Sequence, residues 1–292
     1  MASLLERLVA PLNALVPARF RPDIPTVPVV RLAGMIGVST PFRPGLTLAG
    51  LARTLDRAFA VPRARAVALL INSPGGSPTQ SHLIFQRIRQ LADEKKIPVI
   101  AFIEDAGASG GYMLACAADE IVCDDYSIVG SIGVVGGTFG FQELMKKLGI
   151  ERRIYTAGER KVMLDPFQEE NPEDVKRIKA IQADIHAHFI DLVKKRRGTR
   201  LKGDDKTLFS GEFWTAAKAI ELGLADCRGE LRSTLRERYG DKVRTPLISA
   251  ERSFFGLRMP GGALLGGRSR GGFADDILAA VEERALWSRY GL

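Results

Sequence analysis

The chain has 292 residues, of which 46% are hydrophobic and 26% charged, and its formal net charge is +8. This composition is that of a globular protein large enough to bury a core, and it excludes a disordered or fibrous chain. Part of the basic excess lies in the run 194–202, "KKRRGTRLK". Because no aromatic residues interleave with that run, we interpret it as the solvated end of a helix and predict no nucleic-acid partner.

The first 25 residues form a separate segment with an amphipathic pattern over residues 3–16. Glu6 interrupts its apolar residues, and no stretch reaches the ~18 apolar residues of a membrane span. We therefore expect neither a signal peptide nor an anchor, and we predict a cytoplasmic protein. Docking of residues 3–16 on the protein is favoured, and peripheral membrane contact is the alternative.

After this segment, strand patterns alternate with helix patterns. Continuous apolar runs such as "AVALLINS" predict strands buried on both faces, and their alternation with helices predicts parallel β-α-β units. Asn171 and Pro172 predict the start of a long helix. The predicted strands are 27–37, 66–73, 97–105, 120–124 and 152–158, and the predicted helices are 46–60, 79–95, 110–118, 141–148, 172–197, 211–226 and an amphipathic segment at 274–288.

The cysteines and histidines predict neither a disulfide framework nor a metal site. Cys116, Cys123 and Cys227 form no CxxC pair, which favours a reducing compartment. On a helix, His186 and His188 would point about 200° apart and would not bind one ion together. We predict no metal and no cofactor.

Two glycine-rich turns follow neighbouring predicted strands, "NSPGG" at 72–76 and "GASGG" at 107–111. Sites in parallel sheets form beyond the carboxyl ends of the strands, and glycines there let backbone N–H groups point at a ligand. The two turns predict an oxyanion hole beside Ser109, with two plain tight turns as the alternative.

A nucleophilic serine needs a base. No histidine closely follows Ser109 in sequence, although a Ser-His-Asp arrangement stays open. The other candidate is Lys161, which lies after "YTAG" and before the apolar "VMLDPF". A lysine can act as a base where burial disfavours its ammonium form.

Four motifs, in this order over residues 66–167, carry a family resemblance: "LLINSPGG", "AGASGGYMLACAADEIV", "VGSIGV" and "AGERKVMLDPF". They resemble the signal peptide peptidase A (SppA/SohB-like) family, peptidase family S49, and a weaker match continues to about residue 226. The resemblance implies the α/β ClpP/crotonase-like fold of repeated β-β-α units. It predicts a single catalytic domain at 26–240, between the segment 1–25 and a helical C-terminal extension at 241–292.

The resemblance also implies the roles of five residues. Ser109 matches the nucleophile, and Lys161 matches the general base. Ser131 matches the serine that helps to hold the lysine amine. Gly76 and Gly110 match the backbone donors of the oxyanion hole.

The predicted function is that of a serine endopeptidase that hydrolyses peptides through an acyl-enzyme. Its substrates would be signal-peptide remnants or other short or unfolded polypeptides, and the resemblance implies a homo-oligomer. The family's repeated domain is not expected here, and neither is its membrane anchor; the lack of an anchor weakens the case for signal peptides as substrates. The alternatives are a crotonase-like acyl-CoA-binding protein on the same fold and a non-catalytic scaffold.

Overall fold

The computed structural model describes residues 24–37, 45–158, 160–249, 253–254, 257–258, 281, 284–285 and 287–291. The predictions for residues 3–16 lie outside this part of the chain, as do most of those for 274–288. The helices are α1 (Leu48–Phe59), α2 (Pro78–Lys95), α3 (Gly110–Ala115), α4 (Gln142–Leu148), α5 (Pro172–Arg197), α6 (Asp205–Leu208), α7 (Ala216–Glu221) and α8 (Leu231–Tyr239). The strands of the main sheet are β1 (Val29–Ala33), β2 (Val67–Ser73), β3 (Val99–Ala108), β4 (Glu120–Cys123), β5 (Ile128–Gly130), β6 (Phe213–Thr215) and β7 (Cys227–Arg228).

The sheet has the order β1-β2-β3-β4-β7, and all of these neighbours are parallel. The long strand β3 serves two successive partners. Its first half pairs with β4, and its last three residues pair with β5, which also pairs antiparallel with β6. Two consecutive strands therefore lie along one neighbour, and the carboxyl ends of β2, β3 and β5 lie side by side.

The core lies on both faces of this sheet, as the continuous apolar runs predicted. Helices α1, α2 and α3 cover one face, where Leu55, Ile88 and Leu114 are fully buried. On the other face Leu235 of α8 packs with Phe102 of β3. The same strands thus supply apolar side chains to two layers, which is why they do not alternate with polar residues.

Several predicted elements differ from the structure. Residues 152–158 form no strand, and Tyr155 is 89% exposed there, because no strand among the described residues pairs with the backbone of this segment. The predicted helix 211–226 begins instead with strand β6, whose antiparallel pairing with β5 overrides the helical pattern. Helix α7 is correspondingly short. Strand β5 and helix α8 were not predicted.

The start of the long helix α5 is confirmed. The side chain of Asn171 accepts a hydrogen bond from the N–H of Glu173 at 2.9 Å, and Pro172 occupies the first turn. This fixes one end of a helix that carries His186 on its inner side and reaches the body of the protein at its last turn.

The basic run at the end of α5 is not simply solvated, and that interpretation is wrong in part. Arg197 is 2% exposed and forms two hydrogen bonds of 2.8 Å to the carboxylate of Asp226, with a third to the carbonyl of Gly223. Arg196 donates to the carbonyls of Cys116 and Ala118, just after α3. These side chains join α5 to the end of α3 and to the residues before β7.

We expect Asp226→Asn to lower the free energy of unfolding by about 3–5 kcal/mol, because it leaves the buried Arg197 guanidinium without its counter-ion. Burial alone would raise the pKa of Asp226, but hydrogen bonds from Arg197 and from the Ile121 N–H outweigh it and lower the pKa. A carboxyl with a lowered pKa stabilises the fold above its unfolded value of about 3.9, and this contribution is lost as pH falls through the folded value.

Urea unfolding at several pH values measures this effect. The difference between wild type and Asp226→Asn should be largest near neutral pH and should shrink below about pH 4. Asp125→Asn is the matched control, since Asp125 pairs with Arg228 where both side chains are more than half exposed. Such an exposed pair contributes at most about 1 kcal/mol. Equal losses in the two variants would contradict the role of the buried pair.

In the part of the chain that the structure describes, no helix combines the length and the apolar character that a bilayer crossing requires. The same residues contain no group of three or more His, Cys, Asp or Glu side chains arranged to hold a metal ion. The predicted domain limits at residues 25 and 240 stay predictions.

Candidate active site

Three turns meet at the carboxyl edge of the sheet. In the parallel register, Ser73 at the end of β2 pairs with Gly107, and Ala108 at the end of β3 pairs with Gly130 at the end of β5. The turns that follow these ends are therefore neighbours in space. They are the two glycine-rich turns and the "GSIGV" motif that the sequence analysis singled out.

Ser109 lies between the last residue of β3 and the first residue of α3. Its backbone has φ 51° and ψ −121°, a conformation that an L-residue rarely adopts and that costs on the order of 1–3 kcal/mol. The N–H of Ser109 donates to the carbonyl of Gly130 at 2.8 Å, which holds the turn in place. Its side chain makes no capping hydrogen bond, so the hydroxyl stays available. A strained serine at a strand-to-helix turn is the geometry that exposes a nucleophile.

Gly76 and Gly110 present backbone N–H groups next to Ser109. Neither N–H donates to an acceptor within the described residues, and Gly110 is in the first turn of α3, where the helix supplies no partner. The two turns touch, because a Cβ on Gly75 would lie 2.8 Å from the Cβ of Ser109 and 2.9 Å from the nitrogen of Gly110. Two free N–H groups beside a serine hydroxyl are the donors that an oxyanion hole requires.

Neither Gly76 nor Gly110 has room for a Cβ atom. Gly76 has φ 140°, and a Cβ there would lie 2.2 Å from the carbonyl oxygen of Ile36. At Gly110 a Cβ would lie 2.3 Å from the hydroxyl of Ser81. A side chain at Gly76 would displace the backbone at Ile36, and one at Gly110 would displace Ser81 of α2.

A pocket of about 530 Å³ opens in front of these turns. Ser109, Gly76 and Ser131 all line it. Ser131 is 6% exposed, has φ 53°, and is held by its N–H, which donates to the carbonyl of Glu212. The structure thus brings together four of the five predicted site residues, Gly110 being adjacent to Ser109 in the chain.

The fifth predicted residue, Lys161, does not line this pocket. It lies in an exposed turn, where its N–H donates to the carbonyl of Gly158 at 3.2 Å. Its neighbours Arg160 and Val162 line a different cavity, of about 710 Å³. The burial that a lysine base needs is not present around Lys161 in the single chain.

Two further residues at the pocket were not selected from the sequence. His186 of α5 lines the pocket, and its Nε2 lies 3.0 Å from the carbonyl oxygen of Ile132. Tyr290 also lines it, more than 150 residues after Ser131. No local motif marks either residue, because each reaches the pocket through long-range packing.

A strained serine at the carboxyl end of a buried parallel strand, beside two free backbone N–H groups, is typical of enzymes that attack a carbonyl carbon with a serine. The comparison with known families agrees with this class. A model of peptidase family S49 matches residues 91–242, which is more than half of the chain. The chain belongs to peptidase family S49.

Individual relatives cover the chain to different extents. A Brucella abortus protein named Na(+)/H(+) antiporter NhaA is 53% identical over 287 residues, which are 96% of this chain and 39% of the relative. Serine protease SPPA, chloroplastic, of Arabidopsis thaliana is 32% identical over 168 residues, 57% of this chain and 24% of the relative. The chain thus spans well under half of these curated relatives, and most of the antiporter-named protein lies outside the match.

A solved structure of the membrane-bound stomatin-specific protease 1510-N superposes with a TM-score of 0.46. The superposition covers 78% of this chain and 94% of that chain, at 17% sequence identity. The predicted S49 family is confirmed, and so is the α/β fold with its parallel sheet. The family match and the protease names of relatives support the predicted class of serine peptidase.

Proposed function

We propose that this chain is a serine peptidase in which Ser109 attacks the carbonyl carbon of a peptide bond. The observation that carries the proposal is the strained turn at Ser109, with its free hydroxyl beside the free N–H groups of Gly76 and Gly110. A crotonase-like acyl-CoA enzyme would use such N–H donors but would not require a nucleophilic serine held at a strained turn.

In this proposal the reaction proceeds in two steps. Ser109 Oγ bonds to the substrate carbon while its proton passes to a base, and the carbonyl oxygen takes negative charge between the two N–H donors. The C–N bond then breaks, the amine leaves with a proton, and an ester to Ser109 remains. Water hydrolyses this ester and restores the serine.

The base is proposed to be Lys161, brought to a Ser109 pocket when copies of the chain assemble. The segment from residue 134 to 167 projects large apolar side chains into solvent, and α4 contains no buried residue. The large apolar side chains of this segment that are exposed are Val135, Phe139, Phe141, Leu144, Leu148, Ile150, Tyr155 and Phe167. A surface of this kind is typical of a protein–protein interface. This exposed apolar surface supports the predicted homo-oligomer. A second copy that covered the surface would also remove water from around Lys161.

His186 is the second candidate for the base, and a specific observation favours it. Its Nε2 must carry a proton to donate to the Ile132 carbonyl, so the neutral ring leaves Nδ1 as the proton acceptor. His186 already lines the pocket of Ser109 in the single chain, which Lys161 does not. The two candidates differ in the pH dependence that they impose on the reaction.

The substrates are proposed to be short or unfolded polypeptides, since an extended chain can lie along the open edge of the pocket. A cytoplasmic location is part of the same proposal. It is supported by the free thiols of Cys116, Cys123 and Cys227. Burial raises the pKa of both Cys116 and Cys123 to about 12, so these two thiols would stay unreactive there.

Labelling with a fluorophosphonate probe tests the proposed function. We expect the probe to modify the wild-type chain at Ser109, located by mass spectrometry of its peptides, and to leave Ser109→Ala unmodified. Labelling should be measured over a range of protein concentrations, since a base supplied on assembly makes the rate rise with concentration. A folded, assembled sample that is not labelled at Ser109 would favour a non-catalytic scaffold, and tight binding of coenzyme A would favour the crotonase-like alternative.

A further inference from the structure

The cavity of about 710 Å³ at the start of α5 carries an excess of negative charge, and it is called the acidic cavity below. Five acidic and two basic side chains line it, although the whole chain has a net charge of +8. Of the five acidic residues, only Asp165 forms an ion pair within the described residues. The acidic residues are Asp165, Glu169, Glu170, Glu173 and Asp174, and the basic residues are Arg160 and Arg177.

The carboxylate of Asp165 is buried and has one oxygen without a donor. Its side chain is 2% exposed. Oδ1 accepts hydrogen bonds from the Arg152 guanidinium and from the N–H of Phe167, whereas Oδ2 accepts none from the described residues. A buried acceptor of this kind is costly to leave unpaired, and a charged N–H donor satisfies a carboxylate best. Asp165 Oδ2 is therefore the acceptor that a cationic group would bind in the acidic cavity.

The acidic cavity fits a long cationic side chain better than a metal ion. Within the described residues, no three acidic side chains are arranged to hold a metal ion. A single ion would also fill only a small part of about 710 Å³. Phe139, Ile154 and Val162 line the same cavity and offer an apolar surface to the alkyl part of an arginine or a lysine. Carboxylates and apolar walls together are what such an amphipathic side chain requires.

The acidic cavity is close to the pocket of Ser109 along the chain in two places. Val135 lines the pocket, and Thr138 lines the acidic cavity. In α5, His186 lines the pocket and Arg177 lines the acidic cavity. Three residues of extended chain, or nine residues of helix, span about 10–14 Å. An extended polypeptide covers that distance in about three or four residues.

The backbone between the two cavities is available to pair with an extended polypeptide. The N–H groups of residues 134–140 donate to no acceptor within the described residues, and this segment contains no helix or strand. Extended peptides bind such unpaired backbone as an added strand, and their side chains enter the neighbouring cavities. A polypeptide that lies along residues 134–140 would thus reach both Ser109 and Asp165.

We propose that the acidic cavity is a binding site for an arginine or lysine side chain of a polypeptide that lies along residues 134–140. Asp165 is then a specificity-determining residue, and the preferred substrates carry a basic residue about three to five residues from the cleaved bond. Arg160 and Val162 flank Lys161 in the chain, so an assembly that brings Lys161 to a Ser109 pocket brings the acidic cavity with it. The preference in cleavage rests on the proposed function, whereas the binding of a basic polypeptide does not.

The first experiment measures binding to Ser109→Ala by fluorescence anisotropy, so that no cleavage intervenes. The probes are two labelled decapeptides of alanine and leucine, one with a central arginine and one with citrulline, its neutral isostere, in the same position. The arginine peptide should bind about tenfold more tightly at low salt, and the difference should shrink in 0.5 M NaCl. Adding Asp165→Asn should reduce the difference to about twofold or less, because it removes the buried charge.

Two further variants separate loss of charge from loss of local structure. Glu173→Gln/Asp174→Asn removes two charges of the acidic cavity without touching the hydrogen bonds of Asp165, and it should also reduce the preference for arginine. Glu143→Gln is the matched control, since Glu143 pairs with Lys146 in α4 and does not line the cavity. Equal affinity of the two peptides for Ser109→Ala would overturn the proposal. A tenfold preference that survives in both charge-removing variants would overturn it as well.

The second experiment measures cleavage of the same peptides by the protein with Ser109 intact. The arginine peptide should have the higher kcat/KM, and mass spectrometry of the products should place the cleaved bond about three to five residues from arginine. Asp165→Asn should lower kcat/KM on the arginine peptide about tenfold through a higher KM, and Glu143→Gln should not. Equal cleavage of both peptides would refute the preference. Arginine-dependent binding without any cleavage would support the site and refute the proposed function.

Discussion

Ser109→Ala is expected to reduce peptide hydrolysis by at least about 10⁴-fold, because the other serines that line the pocket, Ser131 and Ser210, do not lie at the strand-to-helix turn that presents Ser109. The measurement is the initial rate on a library of quenched fluorescent peptides, which also shows whether the chain has a cleavage preference. Ser233→Ala serves as the control, since Ser233 is exposed at the start of α8 and should leave the rate unchanged. Retained turnover in a clean Ser109→Ala preparation would refute the assigned nucleophile.

The backbone of Ser109 adds a stability test to the same position. Alanine suffers the same steric cost at φ 51°, so Ser109→Ala should unfold at nearly the wild-type denaturant concentration. Glycine adopts positive φ without that cost, so Ser109→Gly should be inactive and more stable than Ser109→Ala by roughly 1 kcal/mol. Equal stability of the two variants would mean that the turn carries little strain.

Lys161→Met is expected to reduce hydrolysis by about 10²–10⁴-fold, the usual contribution of a general base, without loss of fold. Methionine keeps the apolar part of the side chain and removes the amine. Because Lys161 is exposed in the single chain, its replacement should leave the unfolding free energy of the protomer nearly unchanged. Lys176→Met is the control, a substitution of the same kind on the exposed side of α5.

The pH profile and a mixing experiment identify the base. A lysine base gives activity that rises from pH 7 towards about 9, whereas an imidazole base gives a plateau from about pH 7. If Lys161 acts on a neighbouring copy, a mixture of Ser109→Ala and Lys161→Met subunits should recover part of the activity that neither has alone. An active Lys161→Met enzyme together with an inactive His186→Gln variant would reject the lysine and assign the base to His186.

Most of the sheet could be predicted from local patterns. β2 and β3 are short apolar runs that end at glycine turns. Because both faces of these strands are buried, nearly all of their residues are apolar, and the runs do not show the spacing of an amphipathic helix. The start of α5 could also be predicted, because Asn171 caps the helix and Pro172 occupies its first turn, and both effects are local in the sequence. Strand β6 could not be predicted from its own sequence, since residues 213–215 are extended only because they pair with β5.

The residues of the site also fall into two groups, those that local patterns predict and those that only tertiary packing brings to the pocket. The sequence by itself predicted Ser109, Gly76 and Gly110 as site residues, because the proposed nucleophile turn and its proposed donors need backbone conformations that only small residues at fixed positions allow. Only the tertiary structure decided what else reaches the pocket. His186 arrives there through the packing of α5, and Tyr290 through contacts with Phe213 and with Ser131, which lies 159 residues before it. Lys161, in a motif as recognisable as that of Ser109, lies outside the pocket of the single chain, because its position depends on packing that no local pattern encodes.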